Sequence, residues 1–284
     1  MSKPAPGRPI TPATALCAVL LHPAGHTRSP AMHNAAFAHL GIDAVYLAFD
    51  VPPGDLAAAV AGARALGLRQ LALSIPHKRP VLELLDEVDA TAAAIGAVNT
   101  ATLRAGRWLG SNTDWLGALR ALERETELAG RRAVVLGAGG TARAVVFGLL
   151  RSGARVTILS REAARARALA DELGAEGAGA LPELARTPCE VLVNATPVGM
   201  REDASPVPAE WIAKDAVVLD AVYDPEETRL LRDARSRGAR VVPGKWMLVH
   251  QALEQLRLWT GREAPAELLA RAFDAAPSGP AQPE

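Results

Sequence analysis

The sequence predicts an α/β protein with largely parallel sheets, in about two domains. Three observations predict it. Short β-branched runs alternate with longer Ala/Leu/Arg segments of helical apolar spacing, the pattern of repeated strand–helix units. A glycine-rich stretch, Gly137-Ala138-Gly139-Gly140, joins one such run to one such segment. The length, 284 residues, exceeds one small core and suits two of about 150 residues each.

The strand runs are residues 16–21, 44–51, 70–75, 132–136, 155–159, 190–194, 216–220 and 239–242, each rich in Val, Ile or Leu. Helical spacing lies between most of them, as in Leu116, Leu119 and Leu122 after Asp114. A boundary falls near Asp114. Before it come three strand–helix units and a turn-rich stretch, 96–110. After it come a helix and a regular βα succession from Arg132 to about Pro243. Residues 244–275 read as two helices with a break at Thr260-Gly261, able to pack on either domain. The ends, 1–9 and 276–284, are expected to be flexible, the second being Pro-rich.

Composition excludes several classes. The chain is 49% apolar and 22% charged, an ordinary globular balance. Its 31 basic and 31 acidic residues cancel, so it lacks the excess cation of a general nucleic-acid binder. No apolar run reaches the roughly 18–20 residues that span a bilayer. The first twelve residues are Pro-rich and polar, without the apolar centre of a secretory signal. A cytoplasmic protein is expected. Cys17 and Cys189 are far apart and suggest neither a disulfide framework nor a metal site. The six histidines show no H-E-x-x-H or similar spacing, so no metal is expected.

The motif richest in chemistry is Val134-Val135-Leu136-Gly137-Ala138-Gly139-Gly140-Thr141-Ala142-Arg143. Gly137, Gly139 and Ala142 fit G-x-G-x-x-G/A between a strand and a helix. The first glycine permits a tight turn, the second lets backbone approach a pyrophosphate, and the small third residue brings helix and strand together. Free N–H groups and the helix dipole then face the phosphates. The alternative is a merely structural turn. The next strand ends about 20 residues on, at Ser160-Arg161-Glu162, with Arg165 one turn later. An NAD site usually has Asp or Glu there, whereas Arg suits the 2′-phosphate of NADP. Ser160, Arg161 and Arg165 therefore point to NADP. Glu162 opposes it unless it points away.

Four other stretches carry more polar groups than packing requires: 26–30, 74–78, 96–100 and 110–114. Ser29-Pro30 has the form of a helix N-cap with Pro at the first helical position. With Thr27 it could instead offer two hydroxyls and a helix start to a carboxylate. Lys78 follows a strand broken by Pro76, where a lone lysine is more often surface. Asp114 could be only a helix cap. Trp246 reads as packing.

Together these motifs resemble the shikimate dehydrogenase family, in order, over about residues 14–273. The resemblance extends to Asn194-Ala195-Thr196-Pro197-Val198-Gly199-Met200, to Asp220-Ala221-Val222-Tyr223 and to Met247-Leu248-Val249-His250-Gln251. It implies an N-terminal α/β substrate domain, 10–114, a Rossmann NADP-binding domain, 115–243, and C-terminal helices, 244–275, that return to the first. It implies NADPH-dependent reduction of 3-dehydroshikimate to shikimate, on the way to chorismate, in a cleft between the domains. Lys78 and Asp114 would be the catalytic pair. Thr27 and Ser29 would hold the substrate carboxylate, Ser74, Asn99 and Asp114 the ring hydroxyls, and Tyr223 and Gln251 the far side. Gly137, Ala138, Gly139, Gly140, Thr141, Ala142, Ser160, Arg161, Arg165, Thr196, Ala221 and Gly244 would line the cofactor site. The implied partners are this substrate and cofactor, with no nucleic acid and no membrane, in a monomer or homodimer.

The sequence departs from the family pattern at Thr27, Ala72 and Ser74, where Ser, Asn or Ser, and Thr are usual. These positions bear on shikimate against quinate. A quinate/shikimate dehydrogenase preferring NAD is the alternative enzyme, opposed by Arg161 and Arg165. A non-catalytic dinucleotide sensor would have no use for Lys78, Asp114 and the hydroxyl cluster.

Overall fold

The computed structural model describes residues 9–276. The expected flexible ends lie outside this range except for Pro9 and Ala276. In chain order the elements are β1 (Ala15–Leu21), α1 (Ser29–Leu40), β2 (Ala44–Asp50), α2 (Leu56–Ala65), β3 (Gln70–Leu73), β4 (Glu87–Val88), α3 (Ala90–Ile95), β5 (Thr100–Arg104), β6 (Arg107–Ser111) and α4 (Asp114–Leu122). There follow β7 (Arg132–Leu136), α5 (Gly140–Arg151), β8 (Arg155–Ser160), α6 (Ala163–Leu173), β9 (Gly177–Ala180), β10 (Val191–Asn194), β11 (Val217–Asp220), α7 (Arg229–Ser236), β12 (Arg240–Val242), α8 (Gly244–Thr260) and α9 (Ala266–Ala275).

The strands form two six-stranded sheets. The second has the order β12-β11-β10-β7-β8-β9 and is parallel throughout. Its chain order reverses between β7 and β10, the place where such sheets open a crevice at their carboxyl ends. The first sheet has the order β2-β1-β3-β5-β6-β4. It is mixed: β1 pairs in parallel with β2 and β3, while β5 runs antiparallel to β3 and β6.

The expectation of turns over 96–110 is corrected here. The irregular backbone is confined to 96–99 and to the tip Ala105-Gly106, and the rest pairs as the β5–β6 hairpin. Ala105 and Gly106 both have positive φ, which suits the right-handed twist of a two-residue hairpin. In β5 the two threonines favour a strand, but Ala101, Arg104 and the shortness of the run weaken the signal beside the Val and Leu of the other strands. Strand β9, Gly-Ala-Gly-Ala, has no β-branched residue at all and is held by its ladder to β8.

Period-two alternation separates the cores on the two faces of each sheet. On β1, Cys17, Val19 and Leu21 face Val249, Ala252 and Leu256 of α8 and Leu269 and Phe273 of α9. Ala18 and Leu20 face the opposite side, with Leu56, Val60, Val81 and Trp108. On β7, Ala133 and Val135 lie under α4, α5 and α6, while Val134 and Leu136 meet Leu230 and Leu231 of α7. The open question about the C-terminal segment is thus decided by packing: α8 and α9 cover the first sheet. Their break comes at Gly261, a left-handed C-cap.

Candidate active site

Lys78 reaches the seam between the two sheets because its turn is pinned on both sides. β3 ends at Leu73, and Ser74 to Lys78 turn away, with His77 N–H donating to the Ser74 carbonyl at 2.7 Å. The buried His77 ring sits 2.8 Å from the Val51 carbonyl. The Lys78 carbonyl accepts from Val98 N–H at 2.8 Å, which ties this turn to the segment carrying Asn99. The Lys78 side chain is 15% exposed and its ammonium donates to Asp114 Oδ2 at 2.6 Å.

Asp114 is the first residue of α4, and its side chain does not cap that helix. It is 6% exposed, and its second oxygen accepts from Asn99 Nδ2 at 2.8 Å. Asn99 Nδ2 also lies 3.0 Å from Thr113 Oγ1 and 3.2 Å from Gln251 Oε1. Asn99 Oδ1 accepts from Thr113 N–H and from the Thr100 hydroxyl, each at 2.8 Å. Gln251 arrives from α8 because α4 and α8 cross closely at Gly117, where an added Cβ would lie 2.7 Å from the Met247 carbonyl and 2.9 Å from Gln251 Cβ. Lys78, Asp114, Asn99 and Gln251 are therefore one polar network from four separate segments.

Thr113, Gln255 and Arg143 join this site without having been singled out. Gln255 Nε2 donates to Thr100 Oγ1 at 2.9 Å. Its spacing of four from Gln251 put both on one helix face, a signal present in the sequence. Arg143 is buried, and its Nε donates 2.5 Å to the Ile95 carbonyl while it also pairs with Glu172. It fastens α5 to the end of α3, shortly before Asn99.

A second group forms around Thr27 and Tyr223. The Tyr223 hydroxyl faces the Thr27 side chain, and burial holds the phenol well above its ordinary range, so it stays neutral. Its ring lies against His26 and Phe273. Burial lowers the His26 pKa, so the imidazole is the less ready to carry charge. The expected Ser29 cap is corrected: Ser29 is already helical, the N-cap position is Arg28, whose side chain makes no capping bond, and the Ser29 N–H instead donates to Thr27 Oγ1 at 3.4 Å. The buried Ser29 hydroxyl is not used by the helix end. Arg28 is engaged elsewhere, pairing with Asp224 at 3.6 Å and lying over the Phe273 ring. Ser74 is half-buried beside the Lys78 turn.

The glycine-rich turn stands at the other side of the seam. Gly137 has φ +111°, which side-chain-bearing residues rarely adopt, and its α-carbon faces Thr196 and the Ala195 carbonyl. Around Gly139 a Cβ would meet nothing within 4 Å, so the backbone there is open to a ligand, as a pyrophosphate requires. Gly140 packs on Lys78, Cβ to Cβ at 3.1 Å were it alanine. Ala142 is fully buried against the sheet, and Ala138 and Ala221 pack on the same core. Thr196 is oriented by Asn194, whose Oδ1 accepts from its N–H and hydroxyl at 3.0 and 2.7 Å. Gly244 starts α8 against the Val222 and Asp220 carbonyls. At the end of β8, the Ser160 hydroxyl donates to the Glu162 carbonyl at 2.7 Å. Arg161 is exposed. Arg165 reaches Glu162 at 3.4 Å, so this carboxylate is turned toward a guanidinium on the surface.

Asp220 ends β11 fully buried. It accepts from Asn194 Nδ2 at 2.9 Å, Val222 N–H at 3.0 Å and Thr228 Oγ1 at 2.7 Å. Burial nonetheless pushes its carboxyl up to about 6. Burial also pushes both thiols, Cys17 and Cys189, up to about 12, which removes them as nucleophiles at neutral pH.

The chain is similar to known proteins over most of its length. Residues 19–101 match the model of the shikimate dehydrogenase substrate binding domain, 119–197 that of shikimate/quinate 5-dehydrogenase, and 244–272 that of the shikimate 5′-dehydrogenase C-terminal domain. The chain is 49% identical to the shikimate dehydrogenase (NADP(+)) of Thermococcus kodakarensis, over 87% of this chain and 92% of that one. It is 48% identical to the enzyme of the same name from Symbiobacterium thermophilum, over 92% and 94%. Its fold is similar to the crystal structure of Thermus thermophilus shikimate 5-dehydrogenase in complex with NADP(H) and shikimate. That match has a TM-score of 0.86 and 40% identity, over 92% of this chain and 98% of the other.

Proposed function

The chain belongs to the shikimate dehydrogenase family, and we propose that it catalyses the reversible, NADPH-dependent reduction of 3-dehydroshikimate to shikimate on the way to chorismate. The observation that carries this reading is the Lys78–Asp114 pair, shielded from solvent beside the glycine-rich turn. NADPH supplies the hydride when bound.

The chain's own residues do the rest. The Lys78 ammonium faces the ketone oxygen, balances the charge that develops there and delivers the proton. Asp114 fixes the ammonium's direction and, with Asn99, receives ring hydroxyls. Thr27 and Ser29 hold the carboxylate by neutral donors, since Arg28 is committed to Asp224. Ser74, Tyr223 and Gln251 complete the polar lining, which suits a small, highly hydroxylated acid. Gly137 to Ala142, with Thr196, Ala221 and Gly244, cradle the dinucleotide, and Ser160, Arg161 and Arg165 receive its 2′-phosphate. Residues 10–114 with 244–275 act as the substrate part and 115–243 as the cofactor part. The enzyme works in the cytoplasm as a monomer or homodimer, without a metal.

The deciding experiment is a spectrophotometric assay of the purified protein with shikimate and quinate, each against NADP and NAD. Turnover is expected with shikimate and NADP at the highest kcat/KM. A preference for quinate with NAD would overturn the assignment.

A further inference from the structure

Lys78 has a partner beyond Asp114. Its ammonium also donates to Thr141 Oγ1 at 3.1 Å, in a contact that is partly shielded from water. Thr141 is the second residue of α5, on the far side of the seam from Lys78. The approach is a packed one, because Gly140 leaves just enough room for the Lys78 stem, 3.1 Å from where its Cβ would stand. An alanine at position 140 would require the lysine stem or α5 to give by a few tenths of an ångström.

An ammonium has three N–H donors and no acceptor. One goes to Asp114 Oδ2 and one to Thr141 Oγ1, which leaves one. Two fixed contacts define the direction of the third. A flexible four-carbon stem with one partner could swing, and with two it is held. The Thr141 hydroxyl accepts from Lys78 through a lone pair, so its own hydrogen remains available for the cofactor side.

We propose that Thr141 is a positioning residue for the reaction: it holds Lys78 from across the seam so that the remaining N–H points at the substrate oxygen. Its place in the glycine-rich turn thus serves the proton as well as the dinucleotide. This rests on the shikimate dehydrogenase reading above.

The test uses Thr141→Val, which keeps the shape and removes the hydroxyl, and Thr141→Ser, which keeps the hydroxyl. In the valine variant kcat is expected to fall about tenfold, the scale of one lost hydrogen bond to a charged group. KM for shikimate should change less than twofold, any rise in KM for NADP should be smaller than the fall in kcat, and the solvent deuterium isotope effect on kcat should grow. The serine variant should restore most of the rate. A readout without turnover comes from the cofactor-free protein. The chain has only four lysines, so modification of Lys78 by trinitrobenzenesulfonate can be followed by peptide mass spectrometry. A lysine released from one of its two fixed contacts is freer to reach the reagent, so Lys78 should react severalfold faster in Thr141→Val and at the parental rate in Thr141→Ser. Unchanged kcat and unchanged Lys78 reactivity in the valine variant would overturn the proposal. So would a loss confined to KM for NADP, which would make the hydroxyl a cofactor contact only. A parental protein inactive with shikimate would refute the functional reading instead, leaving the Lys78 reactivity to decide the contact.

Discussion

The guanidinium of Arg143 lies where a side chain at Gly96 would have to go. A Cβ added at Gly96 would sit 2.5 Å from Arg143 Nη2. Gly96 is also left-handed, φ +69°, as the C-cap of α3. The two residues belong to opposite sides of the seam, and Asn99 follows three positions after Gly96.

Gly96→Ala is therefore expected to destabilise the protein by at least about 1–2 kcal/mol, the cost of left-handed backbone for a residue with a Cβ. Arg143 cannot yield freely, since it is bonded to the Ile95 carbonyl and to Glu172. In an Arg143→Ala background the same substitution should cost less, because only the backbone strain remains. A denaturant double-mutant cycle measures the difference. Strictly additive losses would contradict the close contact.

Lys78→Ala should lower kcat by at least about 100-fold, the lower end of general acid–base assistance. Shikimate affinity should fall much less, because the hydroxyl and carboxylate contacts remain. Fluorescence titration should find NADPH binding intact. Near-normal turnover would remove Lys78 from the mechanism.

Cofactor choice can be read at the end of β8. Replacing Arg161 and Arg165 together by Ala should weaken NADP binding tenfold or more and leave NAD nearly unchanged. Arg165 is partly occupied by Glu162, so Glu162→Gln should free it and tighten NADP by a few-fold. Equal changes for both cofactors in a titration would refute a 2′-phosphate role.

Asp220 gives a pH prediction. Its folded pKa, about 6, lies above the ordinary 3.8. Below pH 3.8 both folded and unfolded chains hold the proton. Between about 4 and 6 the folded chain keeps a proton that the unfolded chain releases, so stability falls as pH rises through this window. Asn in its place can still accept from Asn194 and Val222 and can donate to Thr228, and it carries no such proton. Asp220→Asn should therefore gain on the parent between pH 4 and 6 by about 1–3 kcal/mol, then run parallel to it. Calorimetric melts across pH 4–8 check this. A constant difference over that range would show that Asp220 does not titrate there.

The sequence by itself determined the alternation of strand and helix, because buried parallel strands need near-continuous Val, Ile and Leu that stand out from Ala/Leu/Arg helices. It also determined the glycine-rich turn, because backbone geometry at Gly137 excludes a side chain, and that is written in residue type. It did not show β5, β6 or β9, short runs broken by Ala, Gly or Arg that form strands because their neighbours supply the ladder. Nor could it show that Ser29 lies inside its helix and not at the cap, since the same Ser-Pro pair suits either use. Only tertiary structure decided where α8 and α9 pack: Val249, Ala252, Leu256, Leu269 and Phe273 complete the core against Cys17, Val19 and Leu21 of β1, and helical spacing alone names no partner sheet. Only tertiary structure brought Asn99, Gln251 and Thr141 to Lys78 and Asp114. Those hydrogen bonds join residues 15 to 152 positions apart, and contacts over such separations depend on how sheets and helices stack, which no local pattern records.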